Sequence, residues 1–173
     1  FAFFVLGTAI SQYGWVRMSA ALGKLNALIV GLLCYAGVLT VTYFLLPTDN
    51  ATLMAVMFFA AGLANGSYQQ IPWAMYPDHM DVSRNATGQP LEAGFAAVWL
   101  FGQKVAGALA PATVGVILAA AGWQESTGGV VEQTPEALEA LRRVMTLWPV
   151  GIFLASVLGL LLIYRPLARG VHE

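Results

Sequence analysis

A lysine in the middle of a long apolar stretch is the residue that points most directly to chemistry. Lys104 lies ten residues into the stretch 94–121, which contains no other Asp, Glu, Lys or Arg. A charge at the centre of a bilayer costs about 2.5–3.5 kcal/mol on insertion scales, so such side chains face a cavity or an opposite charge. A binding role for Lys104 is favoured, and a structural lysine bonded to backbone carbonyls is the alternative.

Polar and aromatic side chains inside two apolar stretches are the next candidates. Asn65, Gln69 and Gln70 lie in one stretch, and Trp99 lies five residues before Lys104 in the other. Hydrocarbon offers no hydrogen bonds, so the amides predict either interhelical hydrogen bonds or a polar cavity. An aromatic ring can stack on the apolar face of a sugar as well as anchor a helix. These residues are therefore candidates for lining a binding site.

Two aspartates follow the apolar stretch that ends at Pro77. Asp78 and Asp81 are three residues apart and share a helix face only if the helix continues past this proline. Salt bridges to nearby cations, metal coordination and simple solvation are all open to such a pair. For an isolated Asp-x-x-Asp, solvation is the favoured interpretation.

The composition indicates what surrounds these residues. The chain of 173 residues is 58% hydrophobic and 10% charged, with a net charge of -1, and its mean hydropathy is +0.71. Soluble domains carry roughly 25% charged residues. The composition therefore excludes a soluble enzyme and a disordered chain, and the lack of a basic patch excludes a nucleic-acid binder. One cysteine, Cys34, cannot form a disulfide within the chain or a cysteine-based zinc site.

Apolar stretches predict an all-α membrane protein with several spans. About 20 mostly apolar residues cross a bilayer, and four stretches reach that length, at 25–46, 53–76, 94–121 and 136–164. A fifth, at 1–13, is too short, and we interpret it as a truncated helix in a fragment. Thr134, Pro135 and Glu136 form a typical helix start, with a side-chain cap, a proline in the first turn and an acid near the helix dipole.

The distribution of basic residues predicts how the chain is oriented. Basic residues concentrate in the cytoplasmic loops of membrane proteins. The connections at 47–51 and 122–141 contain no Lys or Arg, and Arg142 with Arg143 just beyond them is the exception. We therefore predict a multi-pass protein of the plasma or inner membrane with a cytoplasmic C-terminus, on the basis of Arg17, Lys24, Arg84, Arg165 and Arg169.

A spaced set of residues resembles the C-terminal part of one transporter family. The set comprises Pro72-Trp73-Ala74-Met75, Asp78-x-x-Asp81, Glu92 eleven residues on, Lys104 twelve further, and Gly122-Trp123. It is similar to the glycoside–pentoside–hexuronide:cation symporter group of the major facilitator superfamily. The resemblance covers nearly the whole chain, including a first loop similar to the stretch from Trp15 to Lys24.

The resemblance implies a fold and roles for particular residues. It implies the end of helix eight and helices nine to twelve of a twelve-helix fold, whose two halves give alternating access to a central site. Lys104 would face a cation and sugar site in the missing N-terminal half, which would bind Na⁺ or H⁺, and no other cofactor is expected. Substrate-site lining by Lys104, Trp99, Gln69, Gln70 and Asn65, and gate salt bridges by Asp78, Asp81, Glu92 and Arg84, are the resulting expectations.

Two departures from the family pattern leave the substrate open. Sugar carriers of the group have an aromatic residue where this chain has Gln69, and often a polar residue where it has Trp99. The expected function is a symporter of a sugar, glycoside or similar small polar solute, and not an enzyme. The alternatives are a lysolipid carrier of the same fold, a prenyltransferase-like intramembrane enzyme holding Mg²⁺ diphosphate on Asp78 and Asp81, and a structural membrane subunit.

Overall fold

The computed structural model describes residues 1–46, 49–89, 91–125 and 131–170, and within these ranges the regular structure is entirely helical. The all-α fold class predicted from the sequence is confirmed. A π-helical turn, Leu160–Tyr164, joins the last two α-helices. The α-helices are α1 (Ala2–Leu22), α2 (Lys24–Leu45), α3 (Ala51–Thr87), α4 (Glu92–Ala120), α5 (Pro135–Gly159) and α6 (Arg165–Gly170).

Among the described residues, four helical stretches are long and apolar enough to cross a membrane. They are α2, α3, α4 and the stretch that runs from Pro135 through the π-helical turn to Ala168. Large apolar side chains such as Phe44, Phe101 and Leu162 are exposed on them, as expected where the solvent is hydrocarbon. These helices are those of a multi-pass membrane protein. The predicted segment 1–13 lies within the longer helix α1.

The connection between the first two helices differs from the prediction. The prediction of a loop that holds Arg17 and Lys24 is wrong. Arg17 lies within α1 and Lys24 begins α2, and Gly23 is the single residue between the two helices. Gly23 has φ 82°, a left-handed conformation that a residue without a Cβ adopts at little cost. One glycine can therefore redirect the chain where a longer loop was predicted.

Helix α3 continues beyond the apolar stretch from which it was predicted. The sequence indicates an end at Pro77, whereas the helix runs on to Thr87 and includes both Asp78 and Asp81. A proline inside a helix removes one backbone hydrogen bond without necessarily ending the helix. The length of the apolar stretch predicts the part of the helix that lies in lipid. The polar residues after Pro77 add further helical turns.

The predicted start of α5 is confirmed. The backbone N–H of Ala137 donates a hydrogen bond of 3.2 Å to Oγ1 of Thr134, directly before Pro135 begins the helix. Two arginines that did not fit the charge pattern are paired a turn later. Glu139 accepts from Arg142 at 2.6 Å and from Arg143 at 2.7 Å.

Contacts divide the chain into two compact units, each described by itself. Unit one comprises Phe1–Met75 and Thr146–Glu173, and unit two comprises Tyr76–Met145. The buried core of unit one contains residues from α1, α2, α3 and α5, namely Trp15, Ala27, Leu28, Leu32, Ile71, Met75 and Val157.

Small residues bring α1 and α3 into close contact within unit one. A Cβ built on Gly62 would overlap the carbonyl oxygen of Phe4 and lie 3.0 Å from the backbone nitrogen of Thr8. Polar side chains of α1 then reach the backbone of α3. The single O–H of Thr8 is shared between the carbonyl oxygen of Phe4 in its own helix, at 3.0 Å, and that of Gly62, at 3.2 Å. The indole N–H of Trp15 donates to the carbonyl oxygen of Leu63 at 2.7 Å. Close approach at small residues is a main source of helix association in membranes.

Replacing Gly62 by alanine tests this contact. We expect Gly62→Ala to lower the stability of the full-length protein by about 1–3 kcal/mol, because backbone atoms of α1 must move away from the added methyl group. The thermal unfolding midpoint in detergent measures the effect. Gly37→Ala is the matched control, because a Cβ at Gly37 in α2 meets nothing within 4 Å. Equal midpoints for both variants would contradict the close contact.

Candidate functional site

Lys104 lies near the middle of α4, in unit two. By helix geometry it is about 18 Å from Glu92 at one end and about 24 Å from Ala120 at the other, farther than a lysine side chain reaches. The side chain is exposed, and α4 contains no buried residue. Among the described residues, the ammonium has neither a hydrogen-bond acceptor nor an anionic partner. The alternative of a lysine bonded to backbone carbonyls is therefore not observed in this part of the chain.

Trp99 lies on a different face of α4 from Lys104. Five residues correspond to about 140° around a helix axis. The ring of Trp99 instead packs against Tyr76 of α3, with 5.3 Å between ring centroids and 48° between ring planes. A compact solute could contact Lys104 or Trp99 on α4 but would have to curve around the helix to contact both. Nothing in the sequence singles out Tyr76, because an aromatic residue at the end of an apolar stretch is common.

The residues predicted to form gate salt bridges cluster where α3 ends and α4 begins. The guanidinium of Arg84 lies 3.6 Å from the carboxylate of Glu92, and both side chains are well exposed. Glu92 is the first residue of α4, where a negative charge is favoured by the helix dipole. Asp78 and Asp81 are exposed on α3 and lie on one helical face, as their spacing predicts once the helix passes Pro77.

The described residues contain no group of three or more His, Cys, Asp or Glu side chains arranged to hold a metal ion. In the described ranges, no third His, Cys, Asp or Glu side chain therefore completes a metal site with Asp78 and Asp81. Asp78, Asp81 and Arg84 form a charged surface near the end of α3.

Asn65 joins α1 to α3 in unit one. Its side chain is buried, and its Nδ2 donates to Oγ1 of Thr8 at 3.3 Å. Of the two possibilities that the sequence left open for this amide, interhelical hydrogen bonding and a polar cavity, the structure shows the first. Asn65 therefore contributes to the same α1–α3 contact as Gly62.

Gln69 and Gln70 differ in their surroundings although they are neighbours on α3. Gln69 is exposed, whereas Oε1 of Gln70 is buried and accepts no hydrogen bond from the described residues. Gln70 lines a cavity of about 280 Å³ in unit one together with residues of α1 and the first residue of α2. At its edge, Nζ of Lys24 donates to the carbonyl oxygen of Ala74 at 2.9 Å.

The structure thus brings together some of the predicted site residues. It pairs Arg84 with Glu92, and it places Gln70 beside Lys24, a residue that the sequence had assigned to a loop.

Comparison with known proteins identifies relatives along almost the entire chain. The sequence profile described as "MFS/sugar transport protein" matches residues 1–167. The chain is 30% identical over 171 residues to an uncharacterized symporter of Synechocystis sp., covering 97% of this chain and 31% of that protein. It is 26% identical over 110 residues to a candidate sulfoquinovose importer of Salmonella typhimurium, covering 64% and 22%.

These relatives are transporters, and the chain spans about a third of the length of the first and about a fifth of the second. No solved structure matches the chain. The profile match over 1–167 and the similarity to a symporter confirm the resemblance stated from the sequence. The chain belongs to the MFS/sugar transport protein family.

Proposed function

We propose that this chain is the C-terminal part, comprising the end of helix eight and helices nine to twelve, of a cation-coupled symporter. The transported solute is a sugar, glycoside or similar small polar molecule, moved by alternating access. The observation that carries the proposal is Lys104, a charge in the middle of an apolar helix with no anion near it in the described ranges. The names of the relatives, a symporter and a sulfoquinovose importer, support the same class of activity.

The physical role of Lys104 follows from its charge. An ammonium in hydrocarbon needs a compensating anion or a cluster of polar groups. Acidic residues in the N-terminal half would supply that anion, and the same carboxylates would attract Na⁺ or H⁺. A coupling cation and the Lys104 ammonium would then compete for shared negative charge, so that cation binding changes the site that the solute meets. Within unit one, Gln69 and Gln70 are proposed as lining residues, and within unit two Lys104 and Trp99 are; Asn65, predicted with them, is bonded to Thr8 in the α1–α3 contact.

The charged end of α3 is proposed as part of a gate at the cytoplasmic side, where the C-terminus also lies. Arg84 and Glu92 form an exposed pair that can exchange partners at small cost, since exposed ion pairs contribute about 0–1 kcal/mol. Asp78 and Asp81 extend this charged surface along α3. Weak pairs suit a gate because breaking them does not trap the transporter in one state.

Replacing Lys104 tests the proposed site. We expect Lys104→Ala to lower gradient-driven uptake of labelled glycosides or sulfoquinovose to less than about a tenth of the unmodified rate, because the compensated charge is lost. Proteoliposomes containing the full-length protein, with an imposed Na⁺ or pH gradient, provide the measurement. Gln103→Ala is the matched control, because it changes an adjacent exposed residue of the same helix without removing a charge.

Normal coupled uptake by Lys104→Ala would remove this residue from the site. Uptake of labelled lysolipid in preference to sugars would support the lysolipid carrier of the same fold. Gradient-independent turnover of a prenyl diphosphate would support the enzyme instead. Amounts of inserted protein, measured in the same vesicles, separate a loss of function from a loss of folding.

A charge exchange tests the gate. We expect Arg84→Glu to slow solute exchange several-fold by placing two carboxylates side by side, and the double variant Arg84→Glu with Glu92→Arg to restore most of the rate. Uptake rates at low and high ionic strength measure this, because salt screens exposed charges. A double variant as slow as the single one would show that the 3.6 Å pair has no part in gating.

A further inference from the structure

The contacts between α1 and α3 show how the two helices are aligned. The hydroxyl of Thr8 lies 3.2 Å from the carbonyl oxygen of Gly62, and one turn further a Cβ built on Gly66 would overlap the hydroxyl of Ser11. The contacts advance in the same direction along both helices, so α1 and α3 run parallel. At one edge of this contact, Nδ2 of Asn65 donates to Oγ1 of Thr8 at 3.3 Å. Thr8 and Asn65 therefore mark positions that face each other.

Two glutamines lie one helical turn beyond that pair. Residues four apart share a helix face and are separated by about 6 Å along the axis. Gln12 follows Thr8 by four residues in α1, and Gln69 follows Asn65 by four in α3. The parallel alignment therefore brings both amides to the same level, on the same edge of the α1–α3 contact. This level lies within the apolar stretch 53–76.

Neither of these amides is satisfied within the described part of the chain. The side chain of Gln12 is half-buried and that of Gln69 is exposed, and neither makes a hydrogen bond with the residues that the structure describes. Each amide offers one acceptor oxygen and two N–H donors. Hydrocarbon can pair with none of these groups, so leaving them there costs free energy. A ligand that both donates and accepts hydrogen bonds is therefore favoured beside them.

An aromatic ring follows the two amides along α3. Trp73 comes one further turn after Gln69, and its side chain is 50% exposed. An aromatic ring can pack against the C–H face of a sugar while amides bond to the hydroxyl groups at the sugar's edge. One helical turn, about 5.4 Å, is a length that a single sugar ring with its hydroxyls can span. We call Gln12, Gln69 and Trp73 the amide–indole patch.

We propose that the amide–indole patch binds the ring of a pyranose sugar and that Gln12 is a solute-binding residue beside Gln69. The carbonyl of the Gln12 amide accepts from one ring hydroxyl, and its NH₂ group donates to the oxygen of the adjacent hydroxyl. The indole of Trp73 lies against the C–H face of the ring. The patch carries no formal charge, so it recognises the neutral ring, and an ionic substituent of the sugar binds elsewhere.

This inference rests on the proposed transport function and adds to it a ring chemistry and two residues, Gln12 and Trp73. Its test is equilibrium binding to the purified full-length protein, which requires no ion gradient across a membrane. Isothermal titration calorimetry in detergent, with Na⁺ present, measures the dissociation constants of sulfoquinovose, methyl glucoside and the monodeoxy methyl glucosides. The same titrations are made with the unmodified protein and with each variant.

Replacing Gln12 by methionine removes the amide and keeps the length of the side chain. We expect Gln12→Met to weaken sugar binding about tenfold, the value of one good hydrogen bond. One monodeoxy methyl glucoside should bind the variant and the unmodified protein equally, because it lacks the hydroxyl that Gln12 contacts. An apolar residue favours membrane insertion, and the thermal unfolding midpoint verifies that the variant is folded. Gln12→Leu provides a second apolar variant.

Two further sets of variants separate the ring contact from general effects. Trp73→Phe should keep most of the affinity, whereas Trp73→Leu should lower it several-fold, because only phenylalanine retains an aromatic face. Asn26→Leu is the matched control for loss of an amide. The side chain of Asn26 is exposed on α2, and its Nδ2 donates to the carbonyl oxygen of Leu22 at 2.9 Å. This control should leave every dissociation constant unchanged.

The outcomes distinguish this inference from the proposed function. Binding of neither sugar by the unmodified protein would contradict sugar transport and this inference with it. Normal sugar binding that Gln12→Met leaves unchanged would overturn this inference alone. An equal loss for the parent sugar and all its monodeoxy forms would show that Gln12 does not contact a ring hydroxyl. A density map of the full-length protein in which another helix bonds to the Gln12 amide would overturn the patch.

Discussion

The need to compensate polar groups in a medium that offers no hydrogen bonds governs this structure. Within unit one, the side chains of Thr8, Trp15 and Lys24 donate to carbonyl oxygens along α3. These bonds tie α1 and the first residue of α2 to α3. The same requirement makes Lys104 and Gln70 informative, because neither polar group is satisfied by the described residues.

Compensation and close packing work together at the α1–α3 contact. Glycine at position 62 allows the backbones to approach until the Thr8 hydroxyl reaches a main-chain oxygen, and Asn65 then donates to that hydroxyl. A larger residue at the crossing would separate the helices and would leave buried polar groups without partners. The polar cluster seen in the sequence is thus, for Asn65, part of helix association. In the proposed transporter, a contact of this kind would help one half to move as a single body.

Function depends on the polar groups that remain. In a transporter, some charged groups must change partners between conformational states. Exposed ion pairs such as Arg84 with Glu92 can do so because they contribute little to stability. Lys104 is a different case, because its charge lies in the middle of an apolar helix, where a compensating partner is required. The match over 1–167 shows the family, and in the proposed transporter both the Arg84–Glu92 pair and Lys104 would serve transport.

The sequence by itself determined the all-α class, the membrane setting, the family and the cap at Thr134, because apolar length, charge content and local spacing are properties of neighbouring residues. The tertiary structure alone decided which side chains meet. It placed Lys24 against α3 after a one-residue turn, turned Trp99 toward Tyr76, and made Gln70, with its buried Oε1, differ from exposed Gln69. Those outcomes depend on the rotation of each helix about its axis and on the neighbour that it packs against, which are relations between residues distant in the chain.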